Sequence, residues 1–215
     1  MEKIRLVCLN NNQLKVMNGG LLKPGKSIAL PGCIVKAPTL TEDDYRNLVY
    51  AKEFGVTGIM QPFVRSTEDL CVVRNALNEN GLEDCKIYAK IENKDGVEQL
   101  ESFLPYCDEI IIARGDLANS VGIENIASCQ HHIEQVLKKN KFPYMVVTEM
   151  LHSMCENKTP TRAEVSDIYY AVYNGASSIM LTAETAAGKY PIEAMHYFTS
   201  IAKVALKDRG QRTEF

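Results

Sequence analysis

Lys90 and Glu92, two residues apart in Ala89-Lys-Ile-Glu-Asn93, form the first pattern with chemical content. In an extended segment side chains alternate with period two, so these two share a face about 7 Å apart while Ala89 and Ile91 pack on the other. A cation and an anion then occupy one place. A second pattern, Glu109-Ile-Ile-Ile-Ala-Arg-Gly115-Asp116, is an apolar run that delivers a carboxylate directly after a glycine. Glycine lets backbone approach a ligand closely and turn its amides inward. Glu92 and Asp116 are hard oxygen donors suited to Mg²⁺ or Mn²⁺, which takes a carboxylate or two and leaves its other positions to water and substrate. Lys90 would stand beside that ion as fixed positive charge. Thr148 and Thr182 close two further β-rich runs and offer hydroxyls.

Each piece has an ordinary reading. Lys-x-Glu is commonly a solvated salt bridge, Asp after Gly a turn or helix cap, and a terminal Thr a matter of β-propensity. Four consecutive strand ends bearing complementary polar groups argue for a site instead. His131, His132, His152 and His196 lack metal-ligand spacing and read as surface or core residues, Tyr169, Tyr170 and Tyr173 read as a helix face, and no GxGxxG or P-loop lysine occurs.

The elements that must position these groups follow from the alternation of β-rich runs with helical patterns. Strands are predicted over 56–62, 86–92, 109–114, 144–148 and 177–182, with start-to-start gaps of 30, 23, 35 and 33 residues, each long enough for one crossover helix. This is the pattern of βαβ units and a parallel sheet, whose ligands meet the C-terminal ends of the strands. Thr41-x-x-Asp44 predicts a helix toward Gly55, Ser66-x-x-Asp69 one that Gly81 closes, and Pro160 leads into another that stops near Gly175. Residues 1–32 read differently, as short strands 4–9 and 13–17 around an Asn-rich turn.

The 215 residues carry 24 Lys and Arg against 27 Asp and Glu, a net charge of −3, which argues against nucleic acid and against a membrane surface as partner. No apolar run approaches the roughly 18 residues of a bilayer span and the first ten residues have no signal-peptide core, so the cytoplasm is the expected address. Seven scattered cysteines (8, 33, 71, 85, 107, 129, 155) without a Cys-x-x-Cys pair are expected to be reduced, mostly buried thiols.

Taken in order, Lys90-Ile-Glu-Asn93 with Gly96-Val97, Ala113-Arg-Gly-Asp-Leu117, Val147-Thr-Glu-Met-Leu151, Pro160-Thr-Arg-Ala-Glu164 with Ser166-Asp167, and Met180-Leu-Thr-Ala-Glu-Thr-Ala186 with Gly188 and Tyr190-Pro191 resemble pyruvate kinase. The match extends back through Phe63-Val-Arg65 and Leu30-Pro-Gly32 to Asn18-Gly-Gly20, covering about residues 4–205. The resemblance implies an α/β fold, a partial TIM (β/α) barrel made of the family's strands four to eight. Residues 1–32 would be a remnant of the inserted small β domain, 33–207 the partial barrel, and 208–215 a C-terminal tail.

It also implies roles. Lys90 is the expected transition-state stabiliser beside the transferred phosphoryl. Glu92 and Asp116 would bind Mg²⁺ or Mn²⁺, the Gly115 and Asp116 amides would hold the substrate carboxylate, and Thr148 and Thr182 would contact substrate. K⁺ is expected of the family, but the residues for it belong to strands one to three. So does the arginine that grips phosphate. Ala118 stands where the family has Gly, Glu149 where it has Gln, Pro62 where it has Ser and Thr182 where it has Ser; Glu149 is expected to weaken binding of an anionic substrate. The expected activity is Mg-dependent phosphoryl transfer between phosphoenolpyruvate and ADP, giving pyruvate and ATP in glycolysis, impaired by truncation in this chain alone. Two rivals stand beside it: a metal-dependent 2-oxo acid lyase or decarboxylase, and a non-catalytic paralogue acting as an interaction partner. In each case a homo- or hetero-oligomer is expected to close the open sheet.

Overall fold

A computed structural model describes residues 4–10, 13–25, 28, 30 and 37–212. It divides into two units, Met1–Pro31 and Gly32–Phe215. The boundary expected at 32/33, like Cys33 and part of the Leu30-Pro-Gly32 motif, lies outside the described residues.

The first unit holds an antiparallel hairpin, β1 (Leu6–Asn10) with β2 (Gln13–Val16), paired Leu6 to Val16 and Cys8 to Leu14, with a register shift between Cys8 and Asn10. Val7, Leu9, Leu14 and Val16 are all exposed on it. Two strands alone bury too little to be stable in water.

The second unit is built on five parallel strands in sequential order: β3 (Gly58–Gln61), β4 (Lys86–Ile91), β5 (Glu109–Ala113), β6 (Tyr144–Val147) and β7 (Ser178–Met180). They fall within the predicted runs but are shorter at most ends. The helices are α1 (Glu42–Ala51), α2 (Thr67–Glu79), α3 (Lys94–Glu98), α4 (Leu100–Phe103), α5 (Arg114–Val121), α6 (Ile126–Lys139), α7 (Arg162–Tyr173), α8 (Ala183–Ala186) and α9 (Pro191–Arg212). Thr41 and Asp44 form a reciprocal capping box on α1, and Thr161 with Glu164 does the same for α7 one residue after the expected Pro160. Ser66 is the α2 N-cap but makes no side-chain cap bond, and the Asp69 carboxylate, which would complete a capping box, is engaged by Arg65 and Thr39 instead. The expected tail from 208 is instead helix through Arg212, held where Asp208 accepts a bond from the Tyr169 hydroxyl and Arg209 donates to the Val172 carbonyl.

Burial follows the strand period. Ile87, Ala89 and Ile91 of β4 join Ile110, Ile112 and Val146 in the main core, against Leu70 and Leu77 of α2, Leu137 of α6, Ile168 of α7 and Phe198 of α9. The opposite face of the sheet carries a separate small cluster made of strand residues alone, Ile111, Ala113 and Val147 with Tyr88, Met145 and Met180. The larger helices therefore pack on one face, and β5 is apolar on both because both are covered. Lys90, in step with Tyr88, belongs to the sparser face.

The six described cysteines are free thiols; only Cys85 is buried, Cys8 is exposed, and the rest are half-buried rather than buried as expected. Desolvation pushes the Cys107 thiol up to about 12. No described helix is long and apolar enough to cross a membrane.

Candidate active site

At the end of β4 the chain delivers a carboxylate out of water. The Glu92 side chain is 2% exposed, and its Oε1 lies 2.8 Å from Lys90 Nζ, whose side chain is 25% exposed. Those exposures decide against a solvated surface pair. The other oxygen, Oε2, accepts the Phe63 amide at 2.8 Å, beyond the end of β3, where Phe63 has φ 51°. Asn93 then caps α3 by accepting the Gly96 amide at 2.7 Å while its own amide donates to the Val64 carbonyl. A Cβ at Gly96 would sit 2.8 Å from that same carbonyl oxygen, so this position needs glycine. Cap, glycine and carboxylate in Glu92-Asn93-x-x-Gly96 thus tie the β3 and β4 ends together.

Ile91 pairs with Ile112, so Glu92 leaves the sheet level with Ala113, the last residue of β5. Arg114, Gly115 and Asp116 form the first turn of α5. Amides there have no carbonyl partner within the helix and face outward from its N-terminus. Gly115 lies against Thr148: a Cβ built on it would meet Thr148 Cγ2 at 2.7 Å. Asp116 is exposed, and its Oδ1 accepts a bond from the Asn119 side chain at 3.2 Å.

At the β6 and β7 ends the backbone leaves the extended region sharply. Thr148 has φ 80° and Glu149 φ 55°, uncommon for any side chain and a true outlier for a β-branched one. Two charged groups brace this region. The Arg114 guanidinium donates to the Val147 carbonyl at 3.3 Å and the Thr148 carbonyl at 2.8 Å, while pairing with Asp167 at 2.6 Å. Glu184 is fully buried, accepting the Leu151 amide at 3.0 Å and the Thr182 amide at 2.8 Å. The Thr182 hydroxyl, 3.3 Å from the same carboxylate, is thereby turned toward Glu184.

The structure thus brings Lys90 to Glu92 and Gly115 to Thr148, leaves Asp116 exposed at the head of α5, and ties Thr182 to Glu184. Among the described residues Asp116 forms no ion pair, and no cluster of three or more His, Cys, Asp or Glu is arranged as a metal centre. Glu92 and Asp116 are each hard carboxylates, the donor type of a cation that takes its remaining ligands from water and substrate, and both Glu92 oxygens are engaged, by Lys90 and by the Phe63 amide. Arg114 and Glu184 lie within the strand-end motifs, but their sequence context assigns them no role. The signal for Glu184 was its place two residues after a strand-end threonine, within reach of that residue's own amide.

Carboxylates behind the rim are held charged. Burial alone would raise the Asp69 carboxyl, but bonds from the Arg65 guanidinium, the Thr39 hydroxyl and the Arg65 amide outweigh it and bring the group to about 2. Glu164 is likewise lowered, burial being outweighed by bonds from Ser153 and Thr161.

A parallel βα sheet with polar groups gathered at its C-terminal strand ends defines an α/β protein of the barrel class. Residues 5–195 match the family model described as pyruvate kinase, barrel domain. The pyruvate kinase of Borreliella burgdorferi is 41% identical over 205 residues, 95% of this chain and 42% of that protein. The pyruvate kinases of Bacillus licheniformis and Clostridium acetobutylicum are 39% and 37% identical, covering 91% and 88% of this chain but 34% and 40% of theirs. The chain belongs to the pyruvate kinase family, and it spans less than half the length of these relatives.

Proposed function

We propose that this chain carries the strand-end chemistry of pyruvate kinase: phosphoryl transfer between phosphoenolpyruvate and ADP, giving pyruvate and ATP, in a cytoplasmic, glycolytic setting. The observation that carries the reading is the buried Glu92 holding Lys90 at 2.8 Å on the sparsely covered face of the sheet. Phosphoryl transfer asks little covalent work of a protein; it needs positioning and positive charge around the moving group. Lys90 supplies that charge at its Nζ. The Gly115 and Asp116 amides, at the N-terminus of α5, would hold the substrate carboxylate. Thr148, pressed against Gly115, would contact substrate near its methylene carbon. The Thr182 hydroxyl, engaged with Glu184, would reach substrate through its free lone pairs. When bound, Mg²⁺ or Mn²⁺ held by Glu92 and Asp116 would supply further positive charge to the phosphoryl and enolate oxygens.

The five strands are best read as strands four to eight of the family's barrel, with residues 1–32 as the end of the inserted β domain. The sequential strand order and the helices packed on one face support this. β3 and β7 are the edges of the five-strand sheet, and a second copy or another chain would pair with them.

A coupled assay of the purified chain with phosphoenolpyruvate, ADP and Mg²⁺ tests the reading. Lys90→Met is expected to lower the rate by about 10²–10³, the usual cost of deleting a preorganised charge stabiliser. Activity that survives the substitution refutes this site. Oxaloacetate consumption without ADP would establish the lyase, and inertness in both assays with a stable hetero-complex would establish the interaction partner.

A further inference from the structure

At the other end of the sheet from Lys90, where β6 begins with Tyr144 and the chain turns toward β7, a cleft of about 430 Å³ opens. Lys138, Lys141, Tyr144, Asn174, Gly175 and Arg209 line it. We propose that this cleft binds a small phosphorylated metabolite through its phosphoryl group.

Three cations from two helices and a loop converge there. Lys138 lies in the last turn of α6, where a cation suits the helix dipole. That local reason does not extend to Lys141, in the turn beyond the helix with φ 51°, nor to Arg209, which arrives from α9. The neighbouring Lys139 turns away to Glu101, but among the described residues Lys138, Lys141 and Arg209 form no ion pair. Arg209 spends one N–H on the Val172 carbonyl, at 3.3 Å, out of five donors.

Among the described residues the nearby acids form no ion pair with them. Glu134 is buried and takes a bond from Gln130, and Asp208 takes one from the Tyr169 hydroxyl. The floor of the cleft is fixed. Tyr144 is 2% exposed and donates its hydroxyl to the Asn174 carbonyl, and Gly175, at φ 114°, leaves the wall bare. A Cβ there would stand 3.6 Å from the Lys138 ε-carbon and 3.7 Å from the Tyr144 hydroxyl, so the absent side chain keeps this corner open.

Size and charge select the ligand class. The volume falls in the range of small-molecule sites, about 300–1,000 Å³. The net charge of −3 argues against a nucleic acid, whose backbone needs an extended basic surface. A phosphoryl group, close to dianionic at neutral pH and rich in acceptors, matches three cations better than a carboxylate does.

Amide NMR of the full chain at low salt, titrated with inorganic phosphate, pyrophosphate and acetate, tests the proposal independently of any catalytic activity. Saturable shifts at Lys141 and Gly175, stronger for pyrophosphate than for acetate, are expected. Replacing Lys138, Lys141 and Arg209 together by Gln, all exposed positions, should weaken that binding at least about tenfold with the amide spectrum of the five-strand sheet unchanged. Lys90→Met should leave the shifts at Lys141 and Gly175 as they were, which separates this cleft from phosphate captured at the strand ends. Shifts confined to Gly115 and its neighbours, an equal response to acetate, or undiminished affinity in the triple variant would overturn the assignment.

Discussion

The rim at the ends of β3 and β4 and the rim at the ends of β6 and β7 are built by different means. At the first, a buried carboxylate holds one lysine and one backbone amide, and the lysine remains a quarter exposed. At the second, two consecutive residues adopt positive φ, and Arg114 and Glu184 each bind two main-chain groups besides a side chain. The contrast separates two jobs. The first rim keeps a charge available to a ligand; the second fixes where backbone and the Thr148 side chain stand.

Substitutions can break that contrast. The largest effect on stability is expected from Lys90→Met, because it strands the Glu92 charge in a desolvated position; loss of one partner from a buried pair costs about 3 kcal/mol. Lys90→Met with Glu92→Gln should recover most of that stability in denaturant titrations while leaving the chain inactive. Equal destabilisation in the single and double variants would mean that the pair is effectively solvated.

Arg114→Ala should cost about 2–3 kcal/mol, since it frees two strand-end carbonyls and leaves Asp167 without its partner. Arg114→Lys should recover only part of this, because an ammonium cannot reproduce the planar fork. If this rim acts by positioning, Arg114→Lys should raise KM more than it lowers kcat in an active assembly. An unchanged KM would reduce Arg114 to a packing role.

Acid should weaken the β3 side through Asp69. Its folded carboxyl lies at about 2 against an ordinary 3.8, so its contribution is complete above pH 3.8 and disappears as pH falls through 2. The difference corresponds to roughly 2 kcal/mol. Asp69→Asn should flatten the acid limb of a stability-against-pH curve; an unaltered limb would show that Asp69 titrates normally.

The smallest effect is expected from Thr148→Gly. It relieves a positive-φ β-branched residue and opens the contact with Gly115, so stability should rise by about 1 kcal/mol or less while substrate affinity falls. A loss of stability would show that the Thr148 side chain contributes more packing than its backbone costs.

Much of this was legible in one dimension. The five strands follow from apolar runs spaced for crossover helices, and β5 announced itself by an unbroken Ile-Ile-Ile. The capping box at Thr41 is local, so short-range pattern suffices for it, whereas Ser66-x-x-Asp69 forms no side-chain cap and the later helix is capped by Thr161, one residue past Pro160. The Lys90–Glu92 pair follows from period two alone. Less local features escaped. That α9 continues through Asp208 and Arg209 depends on Tyr169 and Val172, some 37 to 39 residues earlier. Arg114 reads as an ordinary residue between strand and helix until the β6 end is placed beside it.

The sequence by itself determined the order of elements, the family, and which side chains stand at strand ends, because periodicity and capping act over a few residues. Only the tertiary structure decided that Glu92 is desolvated, that Thr182 turns to Glu184 and that Arg114 holds the Thr148 turn. Desolvation and hydrogen bonding between loops depend on what other segments bring alongside, and no spacing within one segment encodes that.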